Sequence, residues 1–269
     1  MKKEGLTVHE FGKSNHKVVI LIHPSMVYWD YFEDVIPFLE QKYHLLIPSI
    51  PGYDTQSTSD FTSIETIAEQ ILNYLKKHKI KKVAAVYGCS MGGGIALRMA
   101  AKQVINIENV IMDGGITPYQ LPWIITRFIA IRDFAMLALG KLGGVKVIAK
   151  AFTSENWEQE DLSYIVDVMK HTSYKTLWRT FDSCNNYKMP KHNIYLKSNI
   201  FYWCAEKEFK ERAWDIRYMR KFFPKTRFFR IPEIGHAAFA IKQPKRFAHE
   251  IMKVILKNEN KYQKTLCKE

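Results

Sequence analysis

Ser90 stands two residues from a glycine on each side, in Gly88-Cys89-Ser90-Met91-Gly92. The apolar run Lys82-Val83-Ala84-Ala85-Val86-Tyr87 leads into it, and the helix-like Gly94-Ile95-Ala96-Leu97-Arg98-Met99-Ala100-Ala101 leads out. A Gly-x-Ser-x-Gly pattern at a strand-to-helix junction is a nucleophile elbow. The serine takes a strained backbone conformation that pushes Oγ out of the sheet, and a side chain at either flanking position would collide with the neighbouring strand or helix. With a histidine base, such a serine suits acyl transfer: attack on a carbonyl, an acyl-enzyme, then hydrolysis.

The elements around it alternate. Val18-Val19-Ile20-Leu21-Ile22 reads as a buried strand, and Trp29 to Tyr43 carries apolar residues at a helical period, Phe32, Val35, Ile36 and Leu39. Leu45-Leu46-Ile47 is the next strand, ending at Pro48 and Pro51-Gly52. A helix follows with Ser63 as N-cap and the stripe Ile64, Ile67, Ile71, Leu72, Leu75. After the elbow come a strand at Val110-Ile111-Met112 and the sequence Asp113-Gly114-Gly115. From Ile116 to Pro190 the rhythm breaks into helix-like, aromatic-rich sequence with Trp123, Phe128, Phe134, Phe152, Trp157 and Trp178. Alternation resumes with the strand Ile200 to Trp203, a helix Glu211 to Phe223, a strand Arg227 to Ile231, and a last helix with Phe247, Ile251, Val254 and Ile255 on one face. Strands and helices in this order make an α/β fold with a mainly parallel central sheet covered by helices on both faces, Leu6 to Phe11 starting it as an antiparallel edge. The expected organisation is a core in two parts, 1–115 and 191–269, with a helical cap at 116–190 inserted between them.

Bulk properties narrow the setting. At 269 residues with 47% apolar content, the chain can bury a substantial core. Its N-terminus lacks the pattern of a secretory signal. The most apolar stretch, 121 to 150, is interrupted by Arg127, Arg132, Asp133, Lys141 and Lys146, which argues against a membrane span. Cys89, Cys184, Cys204 and Cys267 have no metal-ligand spacing, and reduced thiols fit a cytoplasmic address. The net charge of +13 is compatible with nucleic acid, an anionic membrane surface or a polyanionic substrate. The basic residues are dispersed, however: Lys76, Lys77, Lys79, Lys81 and Lys82, nine Lys or Arg between 207 and 230, and more near the C-terminus. No nucleic-acid module accompanies them, so a lysine-rich solvated surface is the simplest reading.

Five segments, Leu21-Ile22-His23-Pro24, Ile50-Pro51-Gly52-Tyr53, Gly88-Cys89-Ser90-Met91-Gly92, Ala205-Glu206-Lys207-Glu208 and Ile234-Gly235-His236, make nearly the whole chain resemble the α/β-hydrolase superfamily. That resemblance implies a helical cap over the active site where 116–190 lies, and a triad in the order nucleophile, acid, histidine. His236, in a loop after Pro232-Glu233-Ile234-Gly235 and ahead of the terminal helix, matches the family's catalytic histidine. Glu208, 28 residues earlier, matches the acid, where Asp is commoner. Asp113 occupies the family's alternative acid position, and Glu206 lies two residues from Glu208. His23 ends the first buried strand, where it holds the loop rather than acting as a base. The oxyanion hole needs two backbone N–H donors. Met91 supplies one and Ser25 the other, with Met26 the alternative, because Pro24 replaces the usual glycine and has no N–H.

A serine rather than an aspartate at the elbow disfavours epoxide opening and halide displacement. The reading is a serine hydrolase of the carboxylesterase or thioesterase kind, acting on a small to medium acyl substrate, with no metal and no organic cofactor. A carbon–carbon bond hydrolase, an amidase or peptidase, and a non-catalytic ligand-binding homologue share the same residues. Met26, Tyr28 and Trp29 are placed to line the pocket. Trp123, Phe128, Phe134, Met136 and Leu137 either line an apolar acyl pocket or pack the cap onto the core. Lys141, Lys146 and Lys150 could meet an acidic substrate, though solvated surface is the simpler role. The expected partner is a small-molecule acyl compound, with no nucleic acid, no integral membrane association, and a monomer or homodimer.

Overall fold

A computed structural model describes residues 6–118, 121–143, 159–190 and 195–266. Lys146, Lys150, Phe152, Trp157 and Cys267 therefore lie outside the described residues. The strands are β1 (Thr7–Phe11), β2 (Val18–Ile22), β3 (His44–Ser49), β4 (Lys82–Val83), β5 (Ala85–Cys89), β6 (Asn106–Ile107), β7 (Asn109–Asp113), β8 (Asn199–Ala205) and β9 (Arg227–Ile231). Seven of them form one sheet in the order β1-β3-β2-β5-β7-β8-β9, while β4 and β6 pair beside it. Only β1 runs antiparallel, against β3; every other pairing in the sheet is parallel.

The central strands β2, β5 and β7 are buried at every position because both faces are covered. Their alternation assigns each residue to a layer. Ile20, Ile22, Val86, Val110, Met112 and Tyr202 face one core, shared with Ile64, Ile71, Ile95 and Met99. Val19, Leu21, Tyr87, Ile111 and Trp203 face the other, where Phe32, Leu39, Phe247 and Ile251 pack.

The helices are α1 (Ile36–Leu39), α2 (Ile64–Lys77), α3 (Met91–Lys102), α4 (Trp123–Gly143), α5 (Gln159–His171), α6 (Tyr174–Asn186), α7 (Ala213–Phe222), α8 (Phe239–Lys242) and α9 (Pro244–Leu266). Ser63 caps α2 as expected, its Oγ accepting from Thr66 N–H at 3.1 Å. The helix expected from Trp29 onward is instead a 3₁₀ stretch, Trp29–Val35, followed by the single-turn α1. Pro37 explains the break: without an N–H it cannot return a bond to the preceding turn, so the α-ladder cannot run through it. Helices α4, α5 and α6 are inserted between β7 and β8, on the side where the parallel strands end, and α4 packs along α6.

Candidate active site

Ser90 joins β5 to α3 with φ 52° and ψ −115°, a conformation that residues with a side chain avoid. The surrounding bonds hold the strain. Its N–H donates to the Asp113 carbonyl at 2.9 Å, and its own carbonyl accepts from Gly93 at 3.0 Å and Ile116 at 3.1 Å. The flanking glycines are steric necessities. A Cβ on Gly88 would stand 2.1 Å from the Gly92 carbonyl oxygen, and one on Gly92 would stand 2.5 Å from that of Ile22. Met91 opens α3, so its N–H has no carbonyl one turn earlier to bond, and the positive end of the helix dipole converges beside Ser90.

Glu208 lies just past β8 and is buried, with its carboxylate fully enclosed. Oε1 accepts from the Ala205 N–H at 3.1 Å, and Oε2 accepts from Arg212 Nε at 3.0 Å. The same Oε2 lies 2.5 Å from His236 Nδ1. A carboxylate only accepts, so Nδ1 carries a proton, and in the neutral imidazole Nε2 is the acceptor. Burial alone would raise the Glu208 pKa; the charges and hydrogen bonds of His236 and Arg212 outweigh it and hold the carboxyl at about 2. Arg212 also reaches Asp215 at 3.5 Å, and Asp215 accepts from both the N–H and the hydroxyl of Thr117 at 2.7 and 2.8 Å.

His236 sits between two non-glycine residues with positive φ, Glu233 and Ala237, and the Ala237 carbonyl accepts from the Tyr31 hydroxyl at 2.8 Å. Gly114, at φ +53°, is where the parts meet. A Cβ there would fall 2.7 and 2.9 Å from the Glu208 oxygens and 2.9 Å from His236 Cε1. Gly114 directly follows Asp113, whose carbonyl binds the Ser90 N–H, so the backbone at the end of β7 adjoins both the elbow and the Glu208–His236 pair.

The other two carboxylates stand elsewhere. Asp113 is buried and accepts from the Tyr87 hydroxyl at 2.7 Å. Burial pushes its carboxyl up to about 7, with the nearby Glu208 adding to the rise against the Tyr87 bond and the His236 charge. Glu206 is exposed and turned toward β9, pairing with Arg230 at 3.1 Å. His23 is completely buried: Nδ1–H donates to the Pro24 carbonyl at 2.8 Å and Nε2 accepts from the Ile50 N–H at 3.3 Å. Burial lowers its pKa to about 4, so it is a neutral brace for the loop.

That loop carries the remaining candidates. Ser25 is half-buried, and Met26 is buried at φ 66°. The Tyr28 N–H donates to the Tyr164 hydroxyl of α5 at 2.9 Å, and that hydroxyl donates to Asp30 at 2.5 Å, tying an inserted helix to the loop. Trp29 turns away to stack on His9 of β1, ring centroids 4.0 Å apart. Trp123 and Phe128 are 62% and 68% exposed rather than enclosed, with Arg127 lying over the Trp123 ring at 4.7 Å, and Met136 is exposed as well. Phe134 packs edge-on against Trp178, and Leu137 is buried. Lys141 donates to backbone carbonyls of Lys170 and Thr172. Arg212, Gly114 and Tyr164 were not singled out from sequence. Only Arg212 carried a signal, its spacing of four from Glu208.

The class of protein follows from this fold. A family model described as alpha/beta hydrolase fold matches residues 17–243, and the chain belongs to that family. Among individual proteins, it is 23% identical over 190 residues to the human monoacylglycerol lipase ABHD6, a match covering 69% of this chain and 53% of that protein. It is 25% identical over 108 residues to the uncharacterized hydrolase YNR064C of Saccharomyces cerevisiae, covering 39% of this chain and 37% of that one. The chain thus matches only about a third to a half of the length of these curated relatives. The structure of MenH from S. aureus superposes with a TM-score of 0.76 at 17% identity, covering 96% of this chain and 100% of that one. Among the described residues, no helix is long and apolar enough to cross a membrane.

Proposed function

We propose that the protein is a serine hydrolase that cleaves a carboxylic ester or thioester of a small to medium acyl compound through an acyl-enzyme. The observation that carries the reading is the 2.5 Å contact between Glu208 and His236 Nδ1, beside a serine in strained elbow geometry. It leaves His236 Nε2 unprotonated and therefore able to accept the Ser90 hydroxyl proton. As that proton moves, Ser90 Oγ forms a bond to the substrate carbonyl carbon, and the carbonyl π pair moves onto oxygen. The oxyanion takes hydrogen bonds from the N–H groups of Met91 and Ser25. The tetrahedral centre collapses, the C–O or C–S bond breaks, and His236 returns its proton to the leaving group. Water, deprotonated by the same imidazole, then releases the acid and regenerates Ser90. Glu208 keeps the imidazole in the productive tautomer and stabilises its cationic form, and Arg212 holds Glu208 ionised.

Similarity to a human monoacylglycerol lipase supports an ester substrate. The test is hydrolysis of p-nitrophenyl acyl esters of graded chain length by the wild type and by Ser90→Ala, with fluorophosphonate labelling in parallel. The expected result is labelling and turnover that both vanish in Ser90→Ala. Undiminished turnover in that variant would refute the nucleophile, and tight ligand binding without labelling of the wild type would point to a non-catalytic homologue.

A further inference from the structure

We propose that the outward face of α4 is a docking surface for an anionic lipid bilayer. The helix runs 21 residues, about 31 Å at 1.5 Å per residue. Thr126, Ala130, Leu137 and Gly140 mark its buried side. At 100° per residue, Ile124, Ile125, Phe128, Ile131, Met136, Leu139 and Leu142 gather on the opposite side, and all seven are exposed among the described residues, Phe128 at 68% and Leu142 at 77%. Scattered exposed apolar residues are ordinary, but seven large ones in a row along one helix are not.

Charge complementarity selects the occupant. Among its described residues α4 carries Arg127, Arg132 and Lys141 against the single acid Asp133, with Arg127 paired to Asp182 of α6 at 2.8 Å, within a chain of net charge +13. Two such cationic chains brought face to face repel each other, whereas an anionic headgroup layer attracts each one. Arg132 projects from the apolar face itself with its side chain 74% exposed and its guanidinium paired to Asp133 at 2.7 Å, an exposed pair from which an anionic headgroup can draw the head while the aliphatic stem lies in apolar surroundings. The charges that prevent α4 from spanning a bilayer thus suit it to lie in the interface. The proposal does not depend on the catalytic assignment.

The experiment is co-sedimentation of the full chain with phosphatidylcholine vesicles, with and without phosphatidylglycerol, for the wild type and Phe128→Glu/Leu139→Glu. Size-exclusion chromatography and thermal unfolding are run on both proteins. The expected result is binding to the anionic vesicles that weakens with salt. The double variant should bind about tenfold or more weakly, from the lost transfer of two large apolar side chains, with its unfolding temperature unchanged. Equal binding by the two proteins, or no binding by the wild type, overturns the proposal. So does a wild-type dimer that the double variant dissociates without any vesicle binding, since the occupant is then a second copy. A large drop in the variant's unfolding temperature also overturns it, because the face is then covered by the chain itself.

Discussion

Replacing Glu208 with Gln keeps the shape of the carboxyl and removes its charge from between the Arg212 guanidinium and the His236 imidazole. In the wild type, His236 and Arg212 hold this buried carboxyl at about 2 against an ordinary 4.5. A depression of about 2.5 units at 1.36 kcal/mol per unit stabilises the fold by about 3 kcal/mol. For a folded-state pKa below the unfolded value, that contribution is complete above about pH 4.5 and lost as the pH falls toward 2. Glu208→Gln should therefore unfold roughly 6–12 °C lower than the wild type at neutral pH. The gap should close on acidification through that window, read by thermal unfolding across pH. The effect on chemistry is larger. A carboxamide that gives its NH2 to His236 Nδ1 reverses the imidazole tautomer and leaves Nε2 protonated, unable to take the Ser90 proton. By analogy with loss of the charge in other serine triads, kcat/KM for a p-nitrophenyl ester should fall about 10³–10⁴-fold. A folded Glu208→Gln with activity within about threefold of wild type would refute the reasoning. So would Asp113→Asn producing the large loss in its place.

Asp113→Asn should behave differently. Its carboxyl is raised by burial to about 7, so the wild type loses stability as the pH climbs from about 4 to 7, and the uncharged amide does not. The variant should gain up to a few kcal/mol over wild type near pH 8 and about none near pH 4. Equal shifts at both ends of a pH-dependent unfolding series would contradict this. Gly114→Ala places a methyl within 2.9 Å of both Glu208 oxygens and of His236 Cε1, at positive φ. Turnover number should fall by about 10²-fold or more with KM nearly unchanged, measured by steady-state kinetics. Tyr164→Phe removes both hydrogen bonds of the α5–loop tie, at a cost of about 1–3 kcal/mol in unfolding free energy from denaturant titration. KM should rise, because the loop carrying Ser25 and Tyr28 loses its brace, and an unchanged KM would remove that role.

Much of this molecule was legible without coordinates. Short unbroken apolar runs bounded by turn residues read as strands covered on both faces, and the helical period of Ile64 to Leu75 can bury only one side of a helix. Both are local consequences of side-chain periodicity, so the parallel sheet, the antiparallel first strand and the inserted helices could be read directly. The elbow was equally local: two glycines around one serine encode the collisions measured at Gly88 and Gly92. Where local pattern and backbone chemistry competed, as at Pro37, the missing N–H prevailed over periodicity.

The tertiary structure decided what depends on distance across the chain. Glu208, Asp113 and Glu206 are carboxylates at or near the ends of adjacent strands, and nothing in their spacing says which of them touches His236. The loop after β8 turns Glu208 inward between His236 and Arg212, while Tyr87 engages Asp113 and Arg230 draws Glu206 outward. The exposure of Trp123 and Phe128 was hidden in the sequence for a related reason. Helix α4 is apolar nearly all the way round, so its sequence carries no stripe to say which face is buried, and only packing against α6 decided it. Sequence thus determined which chemical groups exist and which elements carry them. Their pairing was decided by folding, because a hydrogen bond or an ion pair depends on separation in space and not on separation along the chain.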